Sequence, residues 1–432
     1  MKRLFTAVAL SATLFLVSCN PEEEEKVDHM GQARTDVLID AYYKDVFMDG
    51  GIYLTSRKTL PAADYLGLEM EYFASRNGDD EIVTLEDSLY QQRWFGSSDV
   101  DDNGFLLYPD GSPRFKMIYV NGGKSSKHGA SMTQECRTNI QNYVFNGGAY
   151  VGTCAGMFIA GIGYDNTFSK TYFRLYQGRA SHTGIHETPT GMFVEEGSAL
   201  LQYYDFGGDM YVADIYHNGG GYGFDLPDGT EILMRYDVPD SVNVHLKPSC
   251  WAYKKYPEYG RIVVTGSHPE SVASGERRDF MAAMMRYAMD GRGIVVPKGE
   301  LYNGETVHMN KGTKDNDPAH TVIGDRQCHH FITFIPAGAK NVTVFLEGKD
   351  GYNFNLMMDK NTYAFKDIAG HKNLNSGNVK KLTVDNPEQG LWYIGVQCVD
   401  VPAAEQTDYG WDYLRNTEIL NGVPYSITVN WE

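Results

Sequence analysis

A cysteine flanked by small residues is the strongest chemical signal in the sequence. Cys154 lies in the segment Gly-Thr-Cys-Ala-Gly, between an apolar run that ends at Gly152 and a helix-like run that begins at Ala155. Such a strand-to-helix turn, a nucleophile elbow, requires small neighbours because its backbone is tight and strained. The pattern therefore predicts that Cys154 is a nucleophile. A buried structural cysteine between chance glycines would give the same letters.

A histidine and a carboxylate follow a later strand-like run. His268 and Glu270 come two residues apart after the run 261–265, with Pro269 between them. A histidine can accept the proton of a thiol while a carboxylate orients its other ring nitrogen. We therefore predict a catalytic triad of Cys154, His268 and Glu270. The alternative is that His268 is an ordinary residue at the end of a strand.

Backbone N–H groups are the third requirement of such chemistry, because they stabilise the oxyanion of a tetrahedral intermediate. The run 118–120 ends in a glycine pair, Gly122 and Gly123, which is a suitable place for such donors. We predict that this pair and the N–H of Ala155 form an oxyanion hole. The polar residues that we assign to the surrounding pocket are Asn121, His217, Asn218, His182 and His186.

Strand-like and helix-like runs alternate over residues 34–292. This alternation predicts an α/β fold with a doubly wound, mostly parallel sheet. Residues 75–112 fit the alternation poorly and are interpreted as an insertion. Strands are predicted at 37–41, 116–120, 149–152 and 261–265, and helices at 131–146, 155–160 and 280–290.

The remainder of the chain, 298–432, has only short β-rich runs separated by turn residues. This texture predicts an all-β sandwich, with the boundary between the two parts near 292–299. Its predicted strands are 331–335, 341–346, 352–357, 381–384, 392–396 and 425–431.

In combination, the motifs of 34–292 resemble the class I glutamine amidotransferase-like superfamily. The nearest resemblance is to the domain at the N-terminus of some biotin–protein ligases. It rests on the string Gly-Gly-Ala-Tyr-Val-Gly-Thr-Cys-Ala-Gly at 147–156, the glycine pair at 122–123, the Asn-Gly-Gly segment at 218–220 and Gly-Ser-His-Pro-Glu at 266–270. The resemblance implies that Cys154 is the nucleophile, with His268 as base and Glu270 as its orienting carboxylate.

The segment 298–432 resembles the bacterial pre-peptidase C-terminal domain in its strand and turn patterns, for example at 330–338 and 390–396. The resemblance implies a domain that binds or positions, so a glycan or protein ligand is expected at this sandwich. Asn353 and Asn355 stand where aspartates are often found, which argues against calcium binding by this domain.

The N-terminus has the pattern of a bacterial lipoprotein signal. Lys2 and Arg3 precede an apolar stretch that ends in Leu-Val-Ser-Cys at Cys19, which resembles a lipobox. We predict a signal peptide at 1–18, lipidation of Cys19 and an acidic tether at 19–33. The alternative is a cleaved signal with an incidental cysteine.

The acidic run after Cys19 resembles the surface-export signal of Bacteroidetes lipoproteins, so we expect a lipid anchor in the outer membrane with the protein at the cell surface. A tether that faces the periplasm is the alternative. The formal net charge of −18 disfavours nucleic acid as a partner. Beyond the N-terminal run no apolar stretch could span a bilayer, so membrane contact is expected through the anchor alone.

Cofactor and metal signals are weak. Apart from Cys19, five cysteines remain, with no pair at metal-ligand spacing, and an oxidising compartment would allow up to two disulfides among them. A calcium-loop spacing occurs in a cluster that we interpret as turns. We therefore expect no cofactor and no metal. The residues of that cluster are Asp99, Asp101, Asn103 and Asp110.

The sequence thus favours an extracytoplasmic cysteine hydrolase that cleaves an amide or peptide-like bond through an acyl-enzyme. No P-loop or ligase domain is visible that would support transfer of ammonia or biotin. The alternative is a non-catalytic surface lipoprotein that binds a glycan or protein and uses the superfamily domain as a scaffold.

The anchor is directly testable. Cys19→Ala removes the thiol that would carry the lipid, so we expect the protein to lose its membrane fraction or to remain unprocessed. Mass spectrometry of the mature N-terminus checks this, with Cys136→Ala as the control. A mature chain that starts downstream of Cys19 without lipid would contradict the prediction.

Overall fold

The computed structural model describes residues 26–39, 45–48, 57–73, 106–130, 134–407 and 410–432. The predicted signal peptide, Cys19 and the calcium candidates Asp99, Asp101 and Asn103 lie outside the described residues. The helices of the described ranges are α1 Pro61–Tyr65, α2 Ser125–Ala130, α3 Gln134–Phe145, α4 Ala155–Ala160 and α5 Glu276–Met289. None of these helices is both long and apolar enough to cross a membrane.

Strands make up much of the structure. Those before residue 300 are β1 Asp45–Met48, β2 Met70–Phe73, β3 Met117–Val120, β4 Ala149–Thr153, β5 Gly163–Tyr164, β6 Thr167–Phe168, β7 Arg179–His182, β8 Thr188–Val194, β9 Tyr211–His217, β10 Gly221–Asp225, β11 Glu231–Asp237, β12 Pro248–Tyr253 and β13 Ile262–Thr265. Those after it are β14 Thr306–Met309, β15 Cys328–Ile335, β16 Asn341–Gly348, β17 Phe354–Asp359, β18 His371–Asn373, β19 Val379–Asp385, β20 Gly390–Cys398, β21 Ala403–Thr407, β22 Gly410–Arg415 and β23 Tyr425–Trp431.

Nine of the described strands form one mixed sheet, in the order β2-β1-β3-β4-β13-β12-β11-β8-β9. The first five strands are parallel, and the last four join the sheet through antiparallel pairs. A smaller sheet, β10-β7-β5-β6, lies beside it. The sheet is therefore mixed: the prediction of parallel strands holds for the first five strands, but the structure is not clearly the predicted doubly wound fold.

The difference has a physical reason. Parallel neighbours need a long crossover connection, usually a helix, whereas antiparallel neighbours need only a turn. Between helices α4 and α5 the described chain contains strands and short 3-10 helices but no α-helix. That stretch supplies the antiparallel half of the sheet.

Successive residues of the central strands face opposite sides of the sheet, as the strand period of two requires. Met117 and Tyr119 of β3 pack in one core cluster with α5, while Ile118 and Val120 pack in a second cluster with α3 and α4. Both faces of the parallel strands are thus covered, which explains why these strands appear in the sequence as unbroken apolar runs.

Two four-stranded antiparallel sheets, β14-β23-β16-β19 and β15-β20-β17-β18, form the predicted sandwich. Their inner faces share one core cluster, in which Val344 and Ile427 of one sheet meet Leu356 and Ile394 of the other. A described hairpin, β21 and β22, is separate from both sheets.

Two expectations need correction. The predicted strand 37–41 is absent over 37–39, where Leu38 makes a single bridge to Ile294. Residues 26–33 of the predicted tether contact the sandwich, because His29 bonds to Glu300 and its ring stacks on Phe334 at 4.3 Å. Leu106 and Leu107, at the end of the predicted insertion, are buried in a core cluster.

The five cysteines of the described part are thiols, and no disulfide joins them. Cys250 and Cys136 pack in the clusters on opposite faces of the nine-stranded sheet. Cys328 and Cys398 lie on neighbouring strands, but their side chains belong to different clusters. The alternating faces of the strands thus keep both pairs apart.

A buried ion pair joins the two parts of the chain. The guanidinium of Arg114, which precedes β3, contacts the carboxylate of Asp325 in the sandwich, and neither side chain is exposed to solvent. Arg114 also donates to the carbonyl oxygen of Leu420 at 2.9 Å and lies over the ring of Tyr108.

We expect Arg114→Met to destabilise the protein by about 3 to 5 kcal/mol, because it deprives a fully buried carboxylate of its guanidinium partner. Chemical denaturation followed by circular dichroism measures this. The matched control is Arg179→Met, whose partner Asp225 is half exposed, and it should cost no more than about 1 kcal/mol. Equal losses in the two variants would contradict the prediction.

Candidate active site

The sequence-predicted catalytic residues follow three adjacent parallel strands. The glycine pair follows β3, Cys154 follows β4, and His268 lies three residues beyond β13. The pairing of Val120 with Gly152 and of Thr153 with Thr265 puts the three strand ends at one edge of the sheet. This edge, at the carboxyl ends of the strands, is where α/β sheets hold their ligands.

Cys154 has the strained backbone that the elbow requires. Its φ of 47° and ψ of −104° are unusual for a residue with a side chain, and its N–H donates to the carbonyl oxygen of Thr265 at 2.9 Å. A Cβ on Gly152 would lie 2.6 Å from the carbonyl of Gly156, and one on Gly156 would lie 2.1 Å from the carbonyl oxygen of Val120. Both glycines are therefore needed for the turn to close.

His268 connects the sulfur to a carboxylate. Its Nδ1 lies 2.8 Å from Oε1 of Glu270, and Cys154 is close enough to its ring to be one of the groups that raise its pKa. The backbone N–H of His268 donates to the carbonyl oxygen of Tyr216 at 2.8 Å, which holds the loop in place. The three predicted catalytic side chains are thus neighbours at this edge of the sheet.

The charge state of His268 follows from these contacts. Burial alone would lower its pKa, but the hydrogen bonds with Cys154 and Glu270 and the charge of Glu270 outweigh it and raise the pKa to about 11. His268 is therefore an imidazolium at neutral pH, paired on one side with a carboxylate and on the other with the sulfur.

Gly122 leaves the space that the His268 ring occupies. A Cβ at Gly122 would lie 2.3 Å from Cε1 of that ring, so only a glycine permits the ring to lie there. This is a steric role, in addition to the donor role that the sequence predicts for Gly122.

The backbone donors predicted for the oxyanion hole have no acceptor among the described residues. The N–H groups of Gly123 and Ala155 make no hydrogen bond there. The N–H of Gly156 donates to the carbonyl oxygen of Asn121 at 3.1 Å, which brings the glycine pair beside the start of α4. Gly123 has a φ of 135°, a conformation that favours glycine.

The predicted pocket residues fall into different places. The carbonyl oxygen of Asn218 lies 3.7 Å from Sγ of Cys154, and His186 lies against Gly219 next to it. His182 is further along, where its ring packs on Phe158 of α4.

His217 is fully buried behind the site rather than lining it. Its Nε2 lies 2.8 Å from Oγ1 of Thr183, and the hydroxyl of Tyr236 lies 3.5 Å from its Nδ1. Burial, followed by the charge of His268, lowers the pKa of His217 to about 4. His217 is therefore a neutral support for the Asn-Gly-Gly segment.

Sequence reasoning missed three residues near the site. Tyr216 is partly exposed and lies beside the His268 ring at a centroid distance of 5.7 Å. The hydroxyl of Tyr119 lies 3.0 Å from Oγ1 of Thr153, and the charge of Glu270 adds to the burial that raises its pKa. His128 lies 3.3 Å from the carbonyl oxygen of Gly122. None of them belongs to a predicted catalytic motif, although Tyr216 lies only two residues before the Asn-Gly-Gly segment, which was a signal.

No cluster of three or more His, Cys, Asp or Glu side chains that could hold a metal ion occurs in the described ranges. Asp110, the described member of the calcium candidates, pairs with Lys298 and accepts hydrogen bonds from Gln327 and Ser112. Although burial opposes it, the charge of Lys298 holds the pKa of Asp110 below its usual value.

A cavity of about 480 Å³ lies between the nine-stranded sheet and the sandwich. Phe145 and Glu258, which precede β4 and β13, line one side, and His330 of β15 lines the other. The cavity is thus at the amino-terminal edge of the parallel strands, opposite the edge that carries Cys154.

No protein-family model and no curated protein matches the sequence. Among solved structures, the chain is similar to a glutamine amidotransferase at 15% identity over 57% of this chain and 97% of that chain, with a TM-score of 0.35. It is similar to a ThuA-like protein from Bacteroides uniformis at 12% identity over 57% and 91% of the two chains, with a TM-score of 0.32. The pre-peptidase C-terminal domain of a collagenase from Bacillus anthracis is 12% identical over 31% of this chain and 93% of its own, with a TM-score of 0.20.

Replacing Glu270 tests the electrostatics of the site. Glu270→Gln removes the negative charge beside Nδ1 of His268, so we expect the titration midpoint of His268 to fall by about 1 to 3 pH units. Nitrogen-15 NMR of the imidazole rings measures it. The buried His330, far from this edge, is the internal control, and its signal should not change. A His268 midpoint that stays in place would show that Glu270 does not hold the imidazolium.

Proposed function

We propose that the protein is a cysteine hydrolase that cleaves an amide or peptide-like bond through Cys154, His268 and Glu270. The observation that carries the proposal is the cysteine on a strained elbow, close to a histidine ring whose other side is hydrogen-bonded to a carboxylate. Two backbone N–H groups without acceptors among the described residues lie at the same edge of the sheet.

Acylation begins when the sulfur of Cys154 attacks the carbonyl carbon of the substrate. The electron pair of the C=O bond moves to oxygen, and the N–H groups of Gly123 and Ala155 stabilise the resulting oxyanion. His268 then gives its proton to the leaving nitrogen, the C–N bond breaks, and a thioester remains on Cys154. Glu270 stabilises the imidazolium that loses this proton.

Deacylation uses the change in charge at the sulfur. A thioester no longer stabilises the imidazolium, so acylation removes one of the causes that raise the pKa of His268. The ring then accepts a proton from water as the water attacks the thioester carbon. The C–S bond breaks and a carboxylic acid is released, which leaves the Cys154 thiolate beside the imidazolium that now holds the proton from water.

The sequence pattern at the N-terminus supports a location outside the cytoplasm, with Cys19 as a lipid anchor and the enzyme at the bacterial surface. The substrate would then be an amide or peptide-like compound outside the cell. The sandwich would hold a glycan or protein that brings the site to its substrate.

Selective labelling tests the proposal without knowledge of the substrate. In the soluble form, residues 26–432, iodoacetamide should alkylate Cys154 at least tenfold faster than the other four cysteines near neutral pH, because only Cys154 has a histidine paired with a carboxylate beside its sulfur. Mass spectrometry of tryptic peptides measures each rate.

A screen of peptide and amide libraries completes the test. Cys154→Ala should abolish turnover, and Glu270→Ala should reduce it less, because Glu270 orients rather than reacts. Cys328→Ala, a thiol in the sandwich, is the control and should keep full activity. Slow and equal labelling of all five thiols would refute the hydrolase and favour the alternative of a binding lipoprotein.

A further inference from the structure

His128 is a buried histidine that the catalytic scheme above does not use. It lies on α2, and its side chain has no exposed surface. Its Nε2 lies 3.3 Å from the carbonyl oxygen of Gly122. Because a carbonyl oxygen only accepts, Nε2 must carry the proton and donate it.

The hydrogen bond from His128 to Gly122 determines the direction of the N–H of the next residue, Gly123. The peptide between Gly122 and Gly123 is trans, so the carbonyl of the first and the N–H of the second point in opposite directions. When His128 holds the carbonyl oxygen of Gly122 on its own side, the N–H of Gly123 is directed away from α2. Gly123, with its φ of 135°, has no side chain to restrict this peptide, so another group must fix its orientation.

The helix that carries His128 is itself held in place. A Cβ on Gly129 would lie 2.4 Å from the carbonyl oxygen of Thr171, so α2 packs directly on that backbone. The hydroxyl of Ser125 lies 2.8 Å from that of Tyr172, and Arg137 donates to the carbonyl oxygen of Gly129 at 2.8 Å. His128 thus acts from a fixed position.

We propose that His128 is a positioning residue for the oxyanion hole, which holds the Gly122–Gly123 peptide so that the N–H of Gly123 meets the oxyanion. This inference rests on the proposed function, because it assigns a role within the same reaction. It adds a residue that touches neither the substrate nor the sulfur.

The charge of His128 suits this role. Burial lowers its pKa to about 4, and the hydrogen bond to Gly122 offsets that effect only in part. The ring is therefore neutral at neutral pH. A neutral donor can orient the peptide without competing with His268 for the thiolate.

Two reactions of Cys154 separate this role from a general structural one. Acylation by p-nitrophenyl acetate forms an S–C bond and expels p-nitrophenolate through a tetrahedral oxyanion. Alkylation by iodoacetamide forms an S–C bond and expels iodide without an oxyanion. A defect in the oxyanion hole therefore slows the first reaction and leaves the second unchanged.

The experiment uses the soluble form with His128→Met, which removes the donor at similar length, and His128→Gln, which keeps an N–H donor. We expect His128→Met to slow acylation of Cys154 at least about tenfold, since loss of one oxyanion donor costs about 10² to 10³ in rate. Alkylation should stay within twofold, and His128→Gln should restore most of the acylation rate. His330→Met, at another buried neutral histidine, should change neither rate.

The outcomes are distinct. Fast alkylation with acylation that does not respond to His128→Met overturns this inference alone, and so does an equal fall in both rates. A Cys154 that reacts with neither reagent in the unaltered chain overturns the proposed function and this inference together.

A second measurement does not depend on any variant: nitrogen-15 NMR of the unaltered chain should show His128 as the neutral tautomer protonated at Nε2. Protonation at Nδ1 instead would overturn the inference.

Discussion

The close approach of α4 to β3 and β4 is the constraint on which the rest of the site depends. The backbone around Gly152 and Gly156 leaves no room for a Cβ, and this contact is what turns the chain sharply enough to place Cys154 at a positive φ. The same approach brings the N–H of Gly156 to the carbonyl oxygen of Asn121, so the glycine pair after β3 lies beside the elbow. One steric requirement thus positions both the nucleophile and the backbone donors.

The electrostatics of the site follow from that arrangement. His268 is mostly buried, which by itself would leave it neutral, yet it lies between the Cys154 sulfur and the carboxylate of Glu270. For His128 and His217 burial is the largest influence, and it lowers the pKa of each to about 4. The three histidines therefore differ in charge, because His268 has neighbouring groups that outweigh its burial. The charged ring lies near the sulfur, while the two neutral rings hold backbone segments around it.

The sandwich is more than an appended module. Residues 26–33 bind to it, the buried pair of Arg114 and Asp325 crosses to it, and the cavity at the amino-terminal edge of the sheet lies against it. These contacts lie away from the carboxyl edge that carries Cys154. The structure therefore separates the surface that joins the two parts from the edge that holds the candidate catalytic residues.

The sequence by itself determined the features that depend on near neighbours along the chain. The glycines around Cys154 and the two-residue spacing of His268 and Glu270 follow from local sterics, and the apolar runs predicted the central strands and the sandwich correctly. Tertiary structure decided what depends on distant partners. The missing crossover helices after α4 made half of the sheet antiparallel, and the alternating faces of strands kept the cysteines apart. His128 entered the site for the same reason: it belongs to no motif, and only the packing of α2 against the chain near Thr171 brings its ring to Gly122.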